Sequence, residues 1–277
     1  MTEEYTLTQK ALAEFLGMYS IVFFGAGAVV IDFLTVPPGV TGGGGEFVTG
    51  GLGLGTLGWV GIALAFWAAV ALPIYVFGPV SGQHINPAVT VAFWLTDRIE
   101  ARAAGVYLVA QLLGGLAGAL SFLAIRGPEA ARVGALGATA VFPGVVPWQA
   151  LLNEIVITFF LMIVIMAVAV DDRGPERLAG FLIGFIVAAG VLATGNISGA
   201  SFNPARTLGP YAANTVASLL GVEGAPNLWE QAWIYVLGPI VGAVLGVYLY
   251  EYLVLEPRGT ASEPTEAESE DVEAGRA

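Results

Sequence analysis

Two short stretches of this chain carry the same pattern, in which an apolar segment passes through glycine and reaches Asn-Pro-Ala. The two copies are Asn86, Pro87, Ala88 and Asn203, Pro204, Ala205. Asparagine is a favoured helix N-cap, and proline is favoured at the first helical position because its missing N–H would have no partner there. Each stretch therefore predicts the start of a helix.

The segments that follow the two motifs are short. They cover residues 87–95 and 204–213, and neither is long enough to cross a hydrocarbon core about 30 Å thick. We therefore expect two half-helices that enter a membrane without spanning it. Irregular backbone at membrane depth is tolerated only where protein or a watery cavity surrounds it.

Composition places the chain in a membrane. Of its 277 residues, 56% are hydrophobic and 12% are charged, whereas an average soluble domain has roughly 25% charged residues. The absence of cysteine excludes disulfides and thiolate metal sites. A single histidine excludes a multi-histidine metal site. We expect neither a metal nor a cofactor.

Long apolar segments predict six membrane spans, separated by loops and by charged turns. The predicted spans are 11–33, 56–77, 103–125, 148–170, 178–193 and 231–253. With the half-helices at 86–95 and 203–213, the order is two spans, one half-helix and one further span. This order occurs twice along the chain. Because three spans per repeat is an odd number, the second copy must lie inverted in the membrane. The sequence thus predicts an all-α membrane protein built as an inverted repeat.

This order divides the chain into five parts. An N-terminal segment, 1–10, precedes a first repeat, 11–125. A connecting loop, 126–147, leads to the second repeat, 148–254. An acidic tail, 255–277, follows, and its dense charge and low hydrophobicity predict disorder.

Basic residues predict the orientation of these parts. Lys10, Arg98, Arg102, Arg173, Arg177 and Arg258 fall on the side shared with the N-terminus, against Arg126 and Arg132 on the other side. The positive-inside rule then puts both termini in the cytoplasm and the 126–147 loop outside.

The paired motifs also carry a family resemblance. Together with Ser-Gly-x-His from Ser81 to His84 and with Arg206 directly after the second motif, they resemble the signature of the aquaporin, or major intrinsic protein, family. The resemblance covers residues from about 11 to 254. It implies a multi-pass channel of the cell membrane, in contact with the lipid bilayer and assembled as a homotetramer with a pore in each subunit. It implies no enzymatic activity and no nucleic-acid partner.

The resemblance also implies a selectivity filter of four residues, carried over by the family's spacing: Phe66, Val191, Ala200 and Arg206. Strict water channels have histidine at the position of Val191, so this filter should be wider. Glycerol facilitators have aspartate directly after the filter arginine and an aromatic at the position of Ala200, whereas this chain has Thr207 and Ala200. We expect fast water flow with weak passage of small neutral solutes such as glycerol or ammonia.

Further polar residues are expected around the pore. The side-chain amides of Asn86 and Asn203 can donate hydrogen bonds to a passing water molecule while their oxygens hold the helix caps. The resemblance places His84 in the cytoplasmic vestibule. It also implies that Glu14 and Glu154 accept hydrogen bonds from the re-entrant loops, although buried carboxylates are equally what a proton-coupled carrier needs.

Two other classes of function stay open at this point. A secondary transporter shares inverted repeats, broken helices and buried carboxylates. An intramembrane serine protease would use Ser81 or Ser198 with His84 and needs the serine and the histidine to face one another. The leading interpretation is a passive channel for water and small neutral solutes that excludes protons and ions.

Overall fold

The computed structural model describes residues 5–35 and 57–255, and all regular secondary structure in these ranges is helical. Six helices are long and apolar enough to cross a membrane, and two shorter ones begin at the Asn-Pro-Ala motifs. The helices are α1 Leu7–Leu34, α2 Gly58–Ser81, α3 Pro87–Leu95, α4 Ala101–Arg126, α5 Pro147–Val170, α6 Glu176–Ser198, α7 Pro204–Leu219 and α8 Trp229–Leu255. This confirms the predicted fold of six spans and two half-helices. The predicted tail after Leu255 lies outside the described residues.

The two short helices start as their sequences predict. The Asn86 side-chain oxygen accepts from the N–H of Ala88 at 2.9 Å, and the Asn203 oxygen accepts from the N–H of Ala205 at 3.0 Å. Helix α7, however, continues to Leu219 and so runs beyond the predicted end at residue 213. Its last turns remain helical because polar side chains there find partners inside the protein, as described below.

Each half of the chain packs its first helix against its last. Helix α1 lies on α4, and α5 lies on α8. Glycine permits both crossings, since a β-carbon on Gly118 would lie 2.8 Å from the carbonyl oxygen of Tyr19. A β-carbon on Gly246 would lie 2.8 Å from the carbonyl oxygen of Phe159. Small residues at helix crossings are typical of membrane proteins, where backbones approach closely.

The beginning of α1 and the end of α8 lie on the same side of the protein. Arg98, three residues before the start of α4, forms an ion pair with Glu251 in the last turns of α8, at 2.6 Å. Arg98 and Tyr5 also line one cavity. We call this side the terminal face and the other side the opposite face.

The segment between α4 and α5 turns into the protein on the opposite face. It contains one helical turn, Glu129–Arg132, and then three buried residues with positive φ angles, Ala135 (49°), Leu136 (53°) and Gly137 (70°). Left-handed backbone is unfavourable for alanine and leucine. The surrounding structure must therefore hold this segment, which the sequence predicted only as a connecting loop.

Candidate pore between the two half-helices

The two half-helices meet at their N-termini inside the protein. The Asn86 side-chain amide donates to the carbonyl oxygen of Phe202 at 2.9 Å, and the Asn203 amide donates to the carbonyl oxygen of Ile85 at 2.7 Å. Each asparagine therefore caps its own helix and also binds the loop that leads into the other helix. Since an amide nitrogen carries two N–H groups, each asparagine has a second donor. The Asn203 nitrogen also lies 3.5 Å from the Met18 sulfur, which is a weak acceptor.

Two buried carboxylates hold the loops before these helices. Glu14 accepts from the backbone N–H groups of His84 and Ile85, at 2.8 and 2.6 Å. Glu154 accepts from those of Ser201 and Phe202, both at 2.9 Å. A re-entrant backbone at this depth cannot reach solvent, so its N–H groups need such partners. Neither carboxylate is solvent-exposed.

The carboxylates are linked to matching groups in the two halves. Ser81 donates to Glu14 at 2.7 Å, and Ser198 donates to Glu154 at 2.6 Å. Tyr107 in α4 donates to the carbonyl oxygen of Ser81, as Tyr235 in α8 does to that of Ser198. The side-chain amide of Gln111 also donates a hydrogen bond to the Glu14 carboxylate, at 2.8 Å.

A cavity of about 430 Å³ runs from the half-helix junction toward the terminal face. We call it the wide cavity. Asn86, Asn203 and Arg206 line it near the junction, and His84 and Arg98 line it near the terminal face. Its remaining wall is largely apolar, including Val70, Ile74, Leu161, Ile165, Ile183 and Val187.

A second, much smaller cavity of about 30 Å³ lies toward the opposite face. We call it the narrow cavity, and it has room for about one water molecule. Phe66 and Arg206 line both cavities, whereas Val191 lines only the narrow one and Ala200 only the wide one. Each of the four residues predicted as a filter therefore lines one or both of these cavities.

Arg206, which lines both cavities, is held in place by two neighbouring groups. Its guanidinium carbon lies 4.8 Å from the centre of the Phe66 ring, a distance at which a cation is attracted to an aromatic face. Its Nη1 donates to the carbonyl oxygen of Gly137 at 2.6 Å. Within residues 5–35 and 57–255, its Nε has no hydrogen-bond partner. This Nε is itself buried, but a guanidinium carries five N–H groups. Because Arg206 lines both cavities, the end of its side chain can offer a donor to a solute in the pore.

The segment that bears Gly137 is held by polar side chains of α7. Asn214 donates to the carbonyl oxygen of Ala135 at 2.7 Å, and Tyr211 donates to that of Thr139 at 2.8 Å. These bonds explain the left-handed backbone between them and the continuation of α7 past residue 213. Sequence reasoning missed Tyr211 and Asn214; polar residues in an otherwise apolar helix were the available signal.

Sequence reasoning also missed a carboxylate at the narrow cavity. Asp32, near the end of α1, is only 2% exposed and lines that cavity. Its Oδ1 accepts from the backbone N–H groups of Leu57 and Gly58, at 3.1 and 2.7 Å. Asp32 thus caps the start of α2, and its charge at the end of an apolar segment was the signal.

His84 lies on the wall of the wide cavity near the terminal face. Its Nδ1 lies 3.2 Å from the Thr90 hydroxyl, and its ring contacts Phe93 and Tyr107 at centroid distances of 5.0 and 5.2 Å. In the other half of the chain, Ser201 occupies the position that corresponds to His84. Its hydroxyl forms a hydrogen bond with the Thr207 hydroxyl, at 2.7 Å.

The hydroxyl groups of the two loop serines do not point to His84. The Ser81 hydroxyl bonds to Glu14 and Gln83, and that of Ser198 bonds to Glu154 and Asn153. In the described part of the chain, a serine and a histidine are therefore not paired as a nucleophile and base would be.

Comparison with known proteins gives consistent results. The sequence profile of the family described as "Major intrinsic protein" matches residues 1–250. The chain is 46% identical over 262 residues to aquaporin AqpM of Methanothermobacter marburgensis, covering 91% of this chain and 99% of the relative. It is 47% identical to the probable aquaporin AqpM of Archaeoglobus fulgidus, with the same coverage. The fold is similar to that of an aquaglyceroporin from Plasmodium falciparum, with a TM-score of 0.72 and 23% identity over 90% of this chain and 97% of the other.

Proposed function

The chain belongs to the major intrinsic protein family, and from this premise we propose that it is a passive transmembrane channel for water and for small neutral solutes. Members of this family are channels and not enzymes. The relatives named above carry the name aquaporin, which supports water as the main solute.

One observation carries the proposal. Phe66 and Arg206 line both the wide and the narrow cavity, and both asparagines line the wide one. We infer that the two adjoining cavities form the path of the water. Along that path the polar groups are few and the walls are mostly apolar, so a water molecule meets donors at the two asparagines and at Arg206. In aquaporin-type pores, selectivity is generally attributed to pore diameter, to the hydrogen-bonding groups of the lining and to electrostatic barriers.

The filter composition favours passage of solutes somewhat larger than water. Val191 and Ala200 are buried apolar residues with short side chains, and neither supplies a hydrogen-bond donor or a bulky wall. Arg206 can donate to a hydroxyl while Phe66 offers an aromatic face to carbon atoms. We therefore infer fast water flow with weak passage of glycerol or ammonia.

Charge at the junction opposes cations and protons. Each half-helix carries roughly half a positive charge at its N-terminus, and the two N-termini lie together, with the Arg206 side chain on the same path. A hydrated cation would have to shed water there and find positive groups in return. Donation from both asparagines also orients a water oxygen between them, which interrupts a proton wire.

The alternative of a proton-coupled transporter is disfavoured by where its carboxylates lie. Glu14 and Glu154 are buried against the re-entrant loops and do not line the wide or the narrow cavity. Their oxygens accept bonds from the loop backbone and from nearby side chains. This supports a structural role for both residues.

We further infer the orientation and the assembly. The basic residues Lys10, Arg98 and Arg102 line a cavity on the terminal face, which supports a cytoplasmic position for that face by the positive-inside rule. The two inverted repeats would then be 11–125 and 148–254, with the segment 126–147 outside the cell. Family membership supports a homotetramer in the cell membrane.

Stopped-flow light scattering of proteoliposomes tests the channel. A sucrose gradient should shrink vesicles that contain the protein much faster than empty vesicles. A glycerol gradient should then give slow reswelling. The variant Val187→Trp fills the wide cavity, whereas Val241→Trp lies on the exposed surface of α8 and serves as the matched control.

We expect V187W to lose most of the water flux and V241W to keep it. If the unaltered protein shrinks no faster than empty vesicles, the proposal is wrong. If V187W and V241W both retain full water flux, water does not pass through the wide cavity.

A further inference from the structure

The wall of the narrow cavity is mostly apolar and aromatic. Among the described residues that line it, those with hydrogen-bonding side chains are Asp32, Trp59 and Arg206. Tryptophan and arginine side chains only donate hydrogen bonds, whereas an ionised carboxylate only accepts them. Asp32 is therefore the single side-chain acceptor that the described part of the chain places on this wall.

The Asp32 carboxylate keeps one oxygen that does not take part in capping α2. Its Oδ1 accepts both backbone hydrogen bonds, from the N–H groups of Leu57 and Gly58. Across residues 5–35 and 57–255, its Oδ2 has no hydrogen-bond partner. Unlike the Nε of Arg206, this oxygen is not completely occluded. Because Asp32 lines the narrow cavity, Oδ2 is the atom that can meet a molecule there.

A carboxylate oxygen in this position needs a partner from the cavity itself. Asp32 is only 2% exposed, and a buried acceptor without a hydrogen bond is unfavourable, more so when it is charged. The narrow cavity, of about 30 Å³, has room for about one water molecule. The same space takes one hydroxyl or amide group of a larger solute that passes through.

Water and a larger solute depend on this oxygen to different extents. A water molecule in single file keeps the water molecules before and behind it as hydrogen-bond partners. A polyol in the same place is followed by its own CH groups, which accept no hydrogen bond, so its hydroxyl needs an acceptor on the wall. Asp32 provides that acceptor, and Arg206 provides a donor to the hydroxyl oxygen, since both line the cavity.

The same arrangement suits a neutral donor better than a cation. Arg206 places a positive charge on the wall of the cavity. Its guanidinium already lies against the Phe66 ring, at 4.8 Å from the ring centre, so that ring is not free to stabilise a second cation. A neutral O–H or N–H group gains a charge-assisted hydrogen bond from Asp32 without repulsion by the arginine.

We propose that Asp32 determines solute specificity: its Oδ2 accepts a hydrogen bond from the O–H or N–H groups of small neutral solutes, such as glycerol and urea, as they cross the narrow cavity. This proposal rests on the channel function proposed above, in which that cavity is part of the solute path. The carboxylate lowers the barrier for such solutes because it replaces a hydrogen bond that the donor group gives up on leaving bulk water. Its effect on water itself is smaller, because neighbouring water molecules supply the same bond.

The flux test compares the variant D32N with the unaltered full chain in proteoliposomes. Asparagine keeps an oxygen for the N–H groups of Leu57 and Gly58, and it replaces Oδ2 by an NH₂ group that only donates. Glycerol and urea flux should fall about tenfold, which is the effect of losing the acceptor for a desolvated donor, and water flux should change by less than about twofold. The matched control, E223Q, removes an exposed acid of the opposite face and should leave all three fluxes unchanged.

Three results in these flux assays would overturn the proposal. Equal losses of water and solute flux in D32N would show that Asp32 acts only by capping α2. Unchanged or raised glycerol and urea flux would show that Oδ2 does not assist a solute. Inhibition of water flux by ammonium chloride that D32N relieves, with solute flux unchanged, would assign the oxygen to a cation instead.

Binding can be observed without any flux, which separates the role of Asp32 from the channel function. An electron-microscopy map of the unaltered protein in glycerol should show a glycerol hydroxyl within about 3 Å of Oδ2, and a map of D32N should not. Glycerol that occupies the wide cavity but never the narrow one would refute the role of Asp32, even in a protein that conducts glycerol. Glycerol at Oδ2 in a protein that conducts none would support the acceptor and contradict the solute passage proposed above.

Discussion

Replacing Glu154 by glutamine should loosen the loop that leads into α7. Glu154 accepts three hydrogen bonds, from the Ser198 hydroxyl at 2.6 Å and from the N–H groups of Ser201 and Phe202, both at 2.9 Å. The first two go to Oε1 and the third goes to Oε2. A glutamine oxygen in the position of Oε1 keeps two of these bonds, but its NH₂ group then faces the N–H of Phe202.

The magnitude follows from the lost bond. A hydrogen bond to a charged group contributes about 1.5–3 kcal/mol, and the remaining two bonds become neutral and weaker. We therefore expect the E154Q variant to be less stable by about 3 kcal/mol. The displaced Phe202 carbonyl is also the acceptor of Asn86, so water flux should fall together with stability.

The measurement is thermal inactivation of the detergent-solubilised protein, followed by water flux of the reconstituted protein. Glu230→Gln is the matched control, since Glu230 is exposed and should tolerate the same change. If E154Q and E230Q are inactivated at the same temperature and conduct alike, Glu154 does not support the loop before α7.

Four further predictions concern the filter, its support and the terminal face. Val191→His should narrow the pore and add a donor, lowering glycerol flux much more than water flux; equal losses would place the filter elsewhere. Arg206→Val should admit protons or cations before it abolishes water flow, and an unchanged ion leak would remove this residue from the filter. Asn214→Leu should free the carbonyl oxygen of Ala135 and shift the glycerol-to-water flux ratio, whereas an unaltered ratio would show that the segment needs no such anchor. Arg173 donates to Asp171 and holds the pKa of that carboxyl well below its usual range. The stabilising effect of the Asp171 carboxylate is therefore fully present above pH about 4 and is lost as the pH falls through the lowered pKa. Asp171→Asn should lower the inactivation temperature at neutral pH and progressively less in strong acid, and a pH-independent difference would contradict this.

The sequence by itself determined the features that depend on neighbouring residues or on composition. Asn86 and Asn203 with their following prolines specify helix starts, because a cap is formed by groups only two or three residues apart. The six apolar segments specify membrane spans, because each is long enough to cross the hydrocarbon core of a bilayer and carries few charges. The order of long and short segments, repeated with an odd number of spans, required the second copy to be inverted.

Only the tertiary structure decided how distant segments complete the pore. Arg206 was recognisable as an intramembrane cation, but its acceptor is the carbonyl oxygen of Gly137, and a backbone carbonyl has no signature in a sequence. The end of α7 at Leu219 depended in the same way on Asn214 finding Ala135 in a separate segment. Local pattern predicts where a helix can start, whereas the partners that let it continue, and that orient its side chains, are brought together by packing alone.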